Sequence, residues 1–392
     1  MWRKVMPRVF VTDGHWRKTL AVIRSLGRRG LEVTVGESSR VATSLFSRYC
    51  SRRVVYPSAH RHPEAFLSFL RQELREINYD LVMPMEEETL LLLAQHREEF
   101  TPVARLPIPP YEAIIKVRDK GWLLRHASKE GIPIPRTFWV EALDDLGAVR
   151  DTIPPPWVIK PRVSSGSFGI AYVERADDLA AAYHKVHSQF PFPLIQERIP
   201  SEGEAFGVSA LLDQSSQTKA LFVHRRLREY PITGGPSTLR ESTHHPQIEE
   251  LGIRLLRSLR WYGVAMVEFK VDPRDNQPKL MELNPRFWGS LALAIHAGVD
   301  FPYLLYQMAM GEEFEPVREY ETGIRCRWLL PGDILHFLAN PRRFQLNPSF
   351  FQFRDMAYDI LSRDDPMPTL GRVLTLFSLL WNGDLRRLLK RR

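Results

Sequence analysis

Met281-Glu282-Leu283-Asn284-Pro285-Arg286, with Val267-Glu268-Phe269 one hairpin upstream, brings two acids, an amide and a guanidinium into a short span. On an extended strand, residues two apart point to one face, so Glu282, Asn284 and Arg286 converge while Met281 and Leu283 pack behind them. Asp272-Pro273-Arg274-Asp275-Asn276-Gln277-Pro278 is a turn-rich link between the two apolar runs, which lets Glu268 join from the neighbouring strand. Magnesium takes hard oxygen ligands, usually one or two carboxylates plus substrate phosphates. Glu268, Glu282 and Asn284 form a set of that kind, and a bridging Glu282 can serve two ions. A hairpin carrying solvent-facing acids would use the same residue types, so the surrounding chain has to decide.

Upstream, Trp157-Val158-Ile159 is an apolar strand closed by Lys160 and followed by the small-residue loop Ser164-Ser165-Gly166-Ser167-Phe168-Gly169. Backbone amides in such a loop can cradle phosphate oxygens while a lysine supplies charge, although an ordinary turn between strands has the same composition. The order GxxxxGK[ST] is absent, so this is not a Walker loop. Leu194 to Pro200 is extended and could present its backbone to an adenine edge, and Glu204 beyond it suits ribose hydroxyls.

Further out, Arg8 to Gly14 is a strand ending in a turn, Leu20 to Leu26 has helical spacing, and Leu31 to Gly36 is a second strand. This βαβ start predicts a parallel sheet with its ligand edge at the carboxyl ends of the strands. Val54 to Tyr56, a helix over 66–77 and a strand over 80–85 continue the pattern. Glu86, Glu87 and Glu88 then open a leucine-rich helix, either as caps favoured by the helix dipole or, for Glu86, as a substrate contact. Pro102 to Pro110 separates this lobe from a helix predicted over 111–130, which carries Lys116 and Lys120.

The order of these features is itself informative: a lysine on a helix, a lysine ending a strand, a small-residue loop, Gln-Glu-x-x-Pro and an acid, then Glu268 and Glu282-x-Asn284-Pro285-Arg286. In this the chain resembles the ATP-grasp superfamily, from about Arg8 to Gly311. Asn284-Pro285-Arg286-Phe287-Trp288-Gly289-Ser290 points to the carboxylate-amine ligase and carbamoyl-phosphate-synthase-like branch. The resemblance implies an α/β and α+β fold, with a Rossmann-like lobe over 1–108, a small lobe carrying the phosphate loop over 109–193, and a large lobe carrying the metal site over 194–315. A helical extension would occupy 316–392. It also implies that Lys120 and Lys160 contact the phosphates of ATP, that Ser164 to Gly169 cover them, that Glu197 and Ile199 meet adenine, and that Glu204 meets ribose. Glu268, Glu282 and Asn284 would hold Mg2+, with Mn2+ an alternative, and Arg286 would steady the reacting oxygens. The chain has only Gly166 and Gly169 in the loop, lacks a Met-Lys-Met biotin-attachment motif, and has Met266 where D-alanine ligases carry an arginine. These departures argue against both of those reactions.

The expected activity is therefore ligation of a small carboxylate to an amine through an acyl phosphate. A nucleotide-binding scaffold and a bicarbonate-using carboxylation stand as alternatives. Arg225, Arg228 and Arg240, around a Gly234-Gly235 loop, are candidates to hold an anionic acceptor, because arginine pairs with carboxylates bidentately. His224 lies in the same run, while His244-His245 reads as a surface loop.

At 392 residues the chain exceeds one hydrophobic core, and its net charge of +8 favours anionic ligands without naming one. No nucleic-acid partner is expected, and a homodimer is left open. Cys50 and Cys326 stand far apart, as expected of reduced thiols in a cytoplasmic protein. No run suits a signal peptide or a membrane span. The tail repeats Leu370, Val373, Leu374, Phe377, Leu380 and Trp381 at helical spacing before a basic end. Such a helix packs on its own domain or lies at the inner face of a membrane or on a partner.

Overall fold

The computed structural model describes residues 6–164 and 168–378. The first lobe is a four-stranded parallel sheet in the order β3-β2-β1-β4, built from β1 (Arg8–Val11), β2 (Glu32–Glu37), β3 (Arg52–Val55) and β4 (Leu81–Met83). Helices α1 (Arg17–Arg28) and α2 (Pro63–Glu76) are its crossovers, and α3 (Glu87–Gln95) with the short α4 (Arg97–Phe100) follows β4. Val9, Val11, Val33 and Val35 are wholly buried, as parallel strands covered on both faces require.

Where the sequence predicted one helix over 111–130 there are two, α5 (Tyr111–Arg118) and α6 (Lys120–Lys129). Asp119 is the reason, because its Oδ1 accepts from the amides of Gly121 at 2.8 Å and Trp122 at 3.2 Å and so caps α6. Lys120 thereby becomes the first residue of a helix. The small lobe continues with β5 (Thr137–Trp139), α7 (Val149–Thr152), β6 (Trp157–Lys160), β7 (Ala171–Val173), α8 (Leu179–His187) and β8 (Leu194–Glu197), an antiparallel sheet ordered β5-β8-β6-β7. Trp157, Ile159, Tyr183 and Ile195 form its own core beneath α8.

The large sheet has seven strands in the order β13-β12-β9-β10-β11-β14-β15. They are β9 (Ala205–Leu212), β10 (Thr218–Glu229), β11 (Ser237–Ser242), β12 (Gly263–Asp272), β13 (Gln277–Asn284), β14 (Arg325–Arg327) and β15 (Ala357–Tyr358). Helix α9 (Pro246–Ser258) covers one face, and α10 (Leu291–His296) and α11 (Phe301–Met310) follow the β12–β13 hairpin. The closing segment is less helical than expected. Besides α12 (Ile334–Ala339) and α13 (Met367–Ser378) it contributes β14 and β15 to the large sheet.

Two packing facts position the site. One core runs from Val9, Leu20 and Met83 of the first lobe to Phe287, Trp288 and Leu291 beyond the β12–β13 hairpin. A second joins α6, through Leu123 and Leu124, to Val208, Val267 and Leu283 of the large sheet. Helix α13 packs its Gly371 edge on Phe46, and Arg372 donates to the carbonyl of His15 at 2.9 Å. The apolar stripe seen in the sequence is on the other side, with Leu370, Leu374 and Phe377 exposed. Leu380, Trp381 and the basic end lie outside the described residues.

Candidate active site

The hairpin forms as its alternation predicts. Glu268 stands opposite Glu282, Met266 opposite Asn284, and Glu268 is also in register with Gly207 on β9, which in turn faces His224 on β10. One face of the large sheet thus carries a row of Glu282, Glu268, Gly207 and His224. Gly207 is needed there, because a Cβ would come within 2.3 Å of the His224 ring. The Nδ2 of Asn284 lies 3.4 Å from an oxygen of each glutamate, tying the two together.

The small lobe supplies cations to this row from two directions. Lys120, at the start of α6, places its Nζ 3.7 Å from Glu282 and donates to the carbonyl of Ser164 at 2.6 Å. Lys160 ends β6. Its pKa is lowered to about 8 by burial and by Lys120, with Glu282 opposing. Gly169, at φ +76°, turns the chain where a Cβ would strike Phe190 and Pro161. Ser165, Gly166 and Ser167 of the loop lie outside the described residues.

The two glutamates differ electrostatically. Burial and the facing Glu282 raise Glu268 to about 7 against the pull of Arg226. Burial also works against charge on Glu282, but Lys120, Arg226 and Lys160 outweigh it and hold its pKa down. Arg226, not singled out in the sequence, is ion-paired with Glu268. Its position follows from strand alternation, since it lies two residues from His224 on the same face of β10. His224 is pushed down to about 3 by burial and by Arg226 and Arg240, so it is a neutral ring, 3.3 Å from the Ser290 hydroxyl.

The three arginines expected to hold an acceptor are placed otherwise. Arg225 falls on the reverse face, bonded to Glu241 at 2.9 Å and Glu204 at 2.7 Å. That pairing engages the Glu204 carboxylate assigned to ribose. Arg228 and Arg240 are buried in ion pairs with Asp333 and Asp359, which removes them as substrate contacts. A charge run on a β-strand sends alternate residues to opposite faces, and the register that buries each cannot be read from β10 alone.

Arg286 faces the first lobe, its guanidinium 4.0 Å from Glu86. Glu86 also pairs with Lys18 at 2.8 Å, and Lys18 donates to the carbonyl of Phe287 at 3.1 Å. Burial and Arg286 bring Lys18 down to about 7. Lys18 is the second residue missed in the sequence; it sits on α1 at the carboxyl end of β1, the edge that the βαβ reading had marked. Glu197 is nine-tenths buried, its carboxylate held by Lys279, Arg274 and the amide of Arg136. What the segment leading to Ile199 can offer a base is therefore its backbone.

Comparison with known proteins agrees with this architecture. The family described as "ATP-grasp in the biosynthetic pathway with Ter operon" matches residues 200–330. The carbamoyl phosphate synthase large chain of Thermomicrobium roseum is 21% identical over 227 residues, covering 56% of this chain and 21% of that protein. The chain spans less than a quarter of the length of the first curated relatives it matches. Among solved structures, the biotin carboxylase domain of Hydrogenobacter thermophilus 2-oxoglutarate carboxylase, in complex with MgADP and bicarbonate, superposes with a TM-score of 0.68 at 14% identity, covering 82% of this chain and 74% of the other. The L-amino acid ligase of Bacillus licheniformis gives 0.61 at 20% identity, covering 78% and 74%. The chain shares its fold with these solved structures, and its residues 200–330 match an ATP-grasp family.

Proposed function

We propose that this protein is an ATP-dependent ligase that phosphorylates a small carboxylate and passes the acyl group to an amine, releasing ADP and phosphate. The observation that carries the reading is the cross-strand pair Glu268 and Glu282, tied by Asn284 and faced by Lys120 and Lys160. Two part-buried carboxylates in register repel each other, and burial together with the facing Glu282 raises Glu268. A divalent ion relieves that repulsion, so the residues fit magnesium, with manganese suited to the same oxygen donors. When bound, magnesium and the nucleotide supply the phosphoryl group and neutralise its charge.

This chain's own residues do the rest by positioning. Lys120 and Lys160 are aimed at the phosphate side of the acids, and the loop from Ser164 to Gly169 would exclude water from a hydrolysable acyl phosphate. Glu197 and Ile199 would present backbone to adenine, and Glu204 would meet ribose on releasing Arg225. Arg286 would steady the carboxylate oxygens, with Glu86 and Lys18 fixing the guanidinium. His224 stays a neutral ring, while Arg226 would be available to an anion where a metal held Glu268.

The first lobe assigned to 1–108 is carried forward with this reading, as are small-molecule substrates, a cytoplasmic setting and a homodimer; the boundaries 109–193, 194–315 and 316–392 shift, because β8 pairs within the small lobe and β14 and β15 extend the large sheet. Among the described residues no helix is long and apolar enough to cross a membrane. ADP release should be measured against paired carboxylic acids and amines, with mass detection of the product. Turnover that requires both partners is the expected result. Bicarbonate-dependent turnover without an amine would mean carboxylation, and bound ATP with no turnover under any pairing would mean a scaffold.

A further inference from the structure

The segment from Ile334 to Arg354 contains no aspartate or glutamate, three arginines and five phenylalanines. Phe337 is its anchor, with ring centroids 4.4 Å from Phe350 and 5.5 Å from Phe344. Around that anchor Leu338, Phe344, Phe351 and Phe353 are 60%, 76%, 61% and 51% exposed. Single exposed apolar side chains are ordinary on any surface, but four on one short segment are not. Arg343 lies over the rings of Phe337 and Phe344, 6.0 and 5.7 Å from their centroids, so its charge sits beside the apolar tips. Arg342 and Arg354 are exposed on the same segment, and among the described residues none of the three arginines forms an ion pair.

We propose that this face docks on an anionic phospholipid surface. Phenylalanine and leucine side chains lower their free energy by entering the boundary between headgroups and acyl chains, while neighbouring arginines meet lipid phosphates. A second copy of the chain is a poor occupant. A two-fold interface sets a surface against itself, and here that would bring arginine against arginine with no acid in the segment to offset it. No residue of the segment is among those proposed to hold nucleotide or metal, so the inference stands whether or not the ligase reading holds.

The full chain should sediment with vesicles of phosphatidylglycerol and phosphatidylcholine, much less with phosphatidylcholine alone, and less again as salt is raised. Each arginine near such a surface is worth roughly fivefold in partitioning, so R342Q/R343Q should lower it roughly twenty-five-fold. F344S/F351S should lower it as well, with nucleotide binding retained in both variants as the check on folding. Equal sedimentation with both vesicle types, or undiminished binding by folded R342Q/R343Q, would overturn the proposal. So would a dimer in light scattering that F344S/F351S dissolves.

Discussion

Glu268 is held between two cations, the Arg226 it already pairs with and the metal it is proposed to bind. A metal ligates the carboxylate only in its ionised form. With its pKa near 7 without metal, affinity for Mn2+ should be full above that value and fall as pH drops through it. Arg226 opposes the upward shift, so Arg226→Ala should move the acid limb to higher pH while leaving binding at alkaline pH equal or tighter. Manganese titration followed by electron paramagnetic resonance reads this directly, and a limb that moves downward would remove Arg226 from the site. Glu282 has the opposite character, ionised by its lysine neighbours. Glu282→Gln keeps the shape and deletes the charge, and should lower ADP formation at least about a hundredfold in a protein with an unchanged melting transition. Near-normal turnover by the folded variant would end the metal-site reading.

At the scale of elements, the edge of the large sheet formed by β11, β14 and β15 is bound to the first lobe by charged side chains. Asp359, next to β15, pairs with Arg240 on β11 and lies 3.4 Å from Arg17 on α1. Asp359→Ala removes the ion pair of the buried Arg240, and breaking such a pair typically costs roughly 3–5 kcal/mol. Urea denaturation should show that loss, whereas a change below about 1 kcal/mol would mean that the arginines find other partners. The elements also show what could be read in advance. The β12–β13 hairpin was legible because alternation and a turn-rich link specify it locally, and so was the βαβ start. The break at Asp119 was not, because helical periodicity runs through it and only the cap separates α5 from α6. The arginines of β10 were misassigned for a related reason: alternation separates Arg225 from Arg226, but which parity faces the acids depends on pairing with β9, twenty residues away in sequence. Lys18 was missed because α1 meets the Phe287 region only in the assembled fold.

Over the whole molecule, the first lobe and the large sheet share one continuous core, and α6 is packed into the large sheet. The sheet of β5 to β8 has its own core under α8. Nucleotide binding should therefore slow amide hydrogen exchange mainly between residues 137 and 197, by about tenfold or more, with little change in β1, β2 or β4. Equal slowing in the first lobe would mean that the whole body tightens. The shared core also predicts that a chain lacking residues 1–108 would expose Phe287, Trp288 and Leu291 and be recovered as aggregate.

That shared core has a mechanical consequence. A clamp needs one fixed anvil and one hammer, and here the anvil comprises the acids, Arg286 and the floor beneath any acceptor, all set in a single block. Whatever is to be joined can be seated before the nucleotide is gripped, its position indifferent to the swing of the hammer. In the proposed ligase, the floor for a new acceptor would then be recut on the block alone, apart from the stroke of the small sheet.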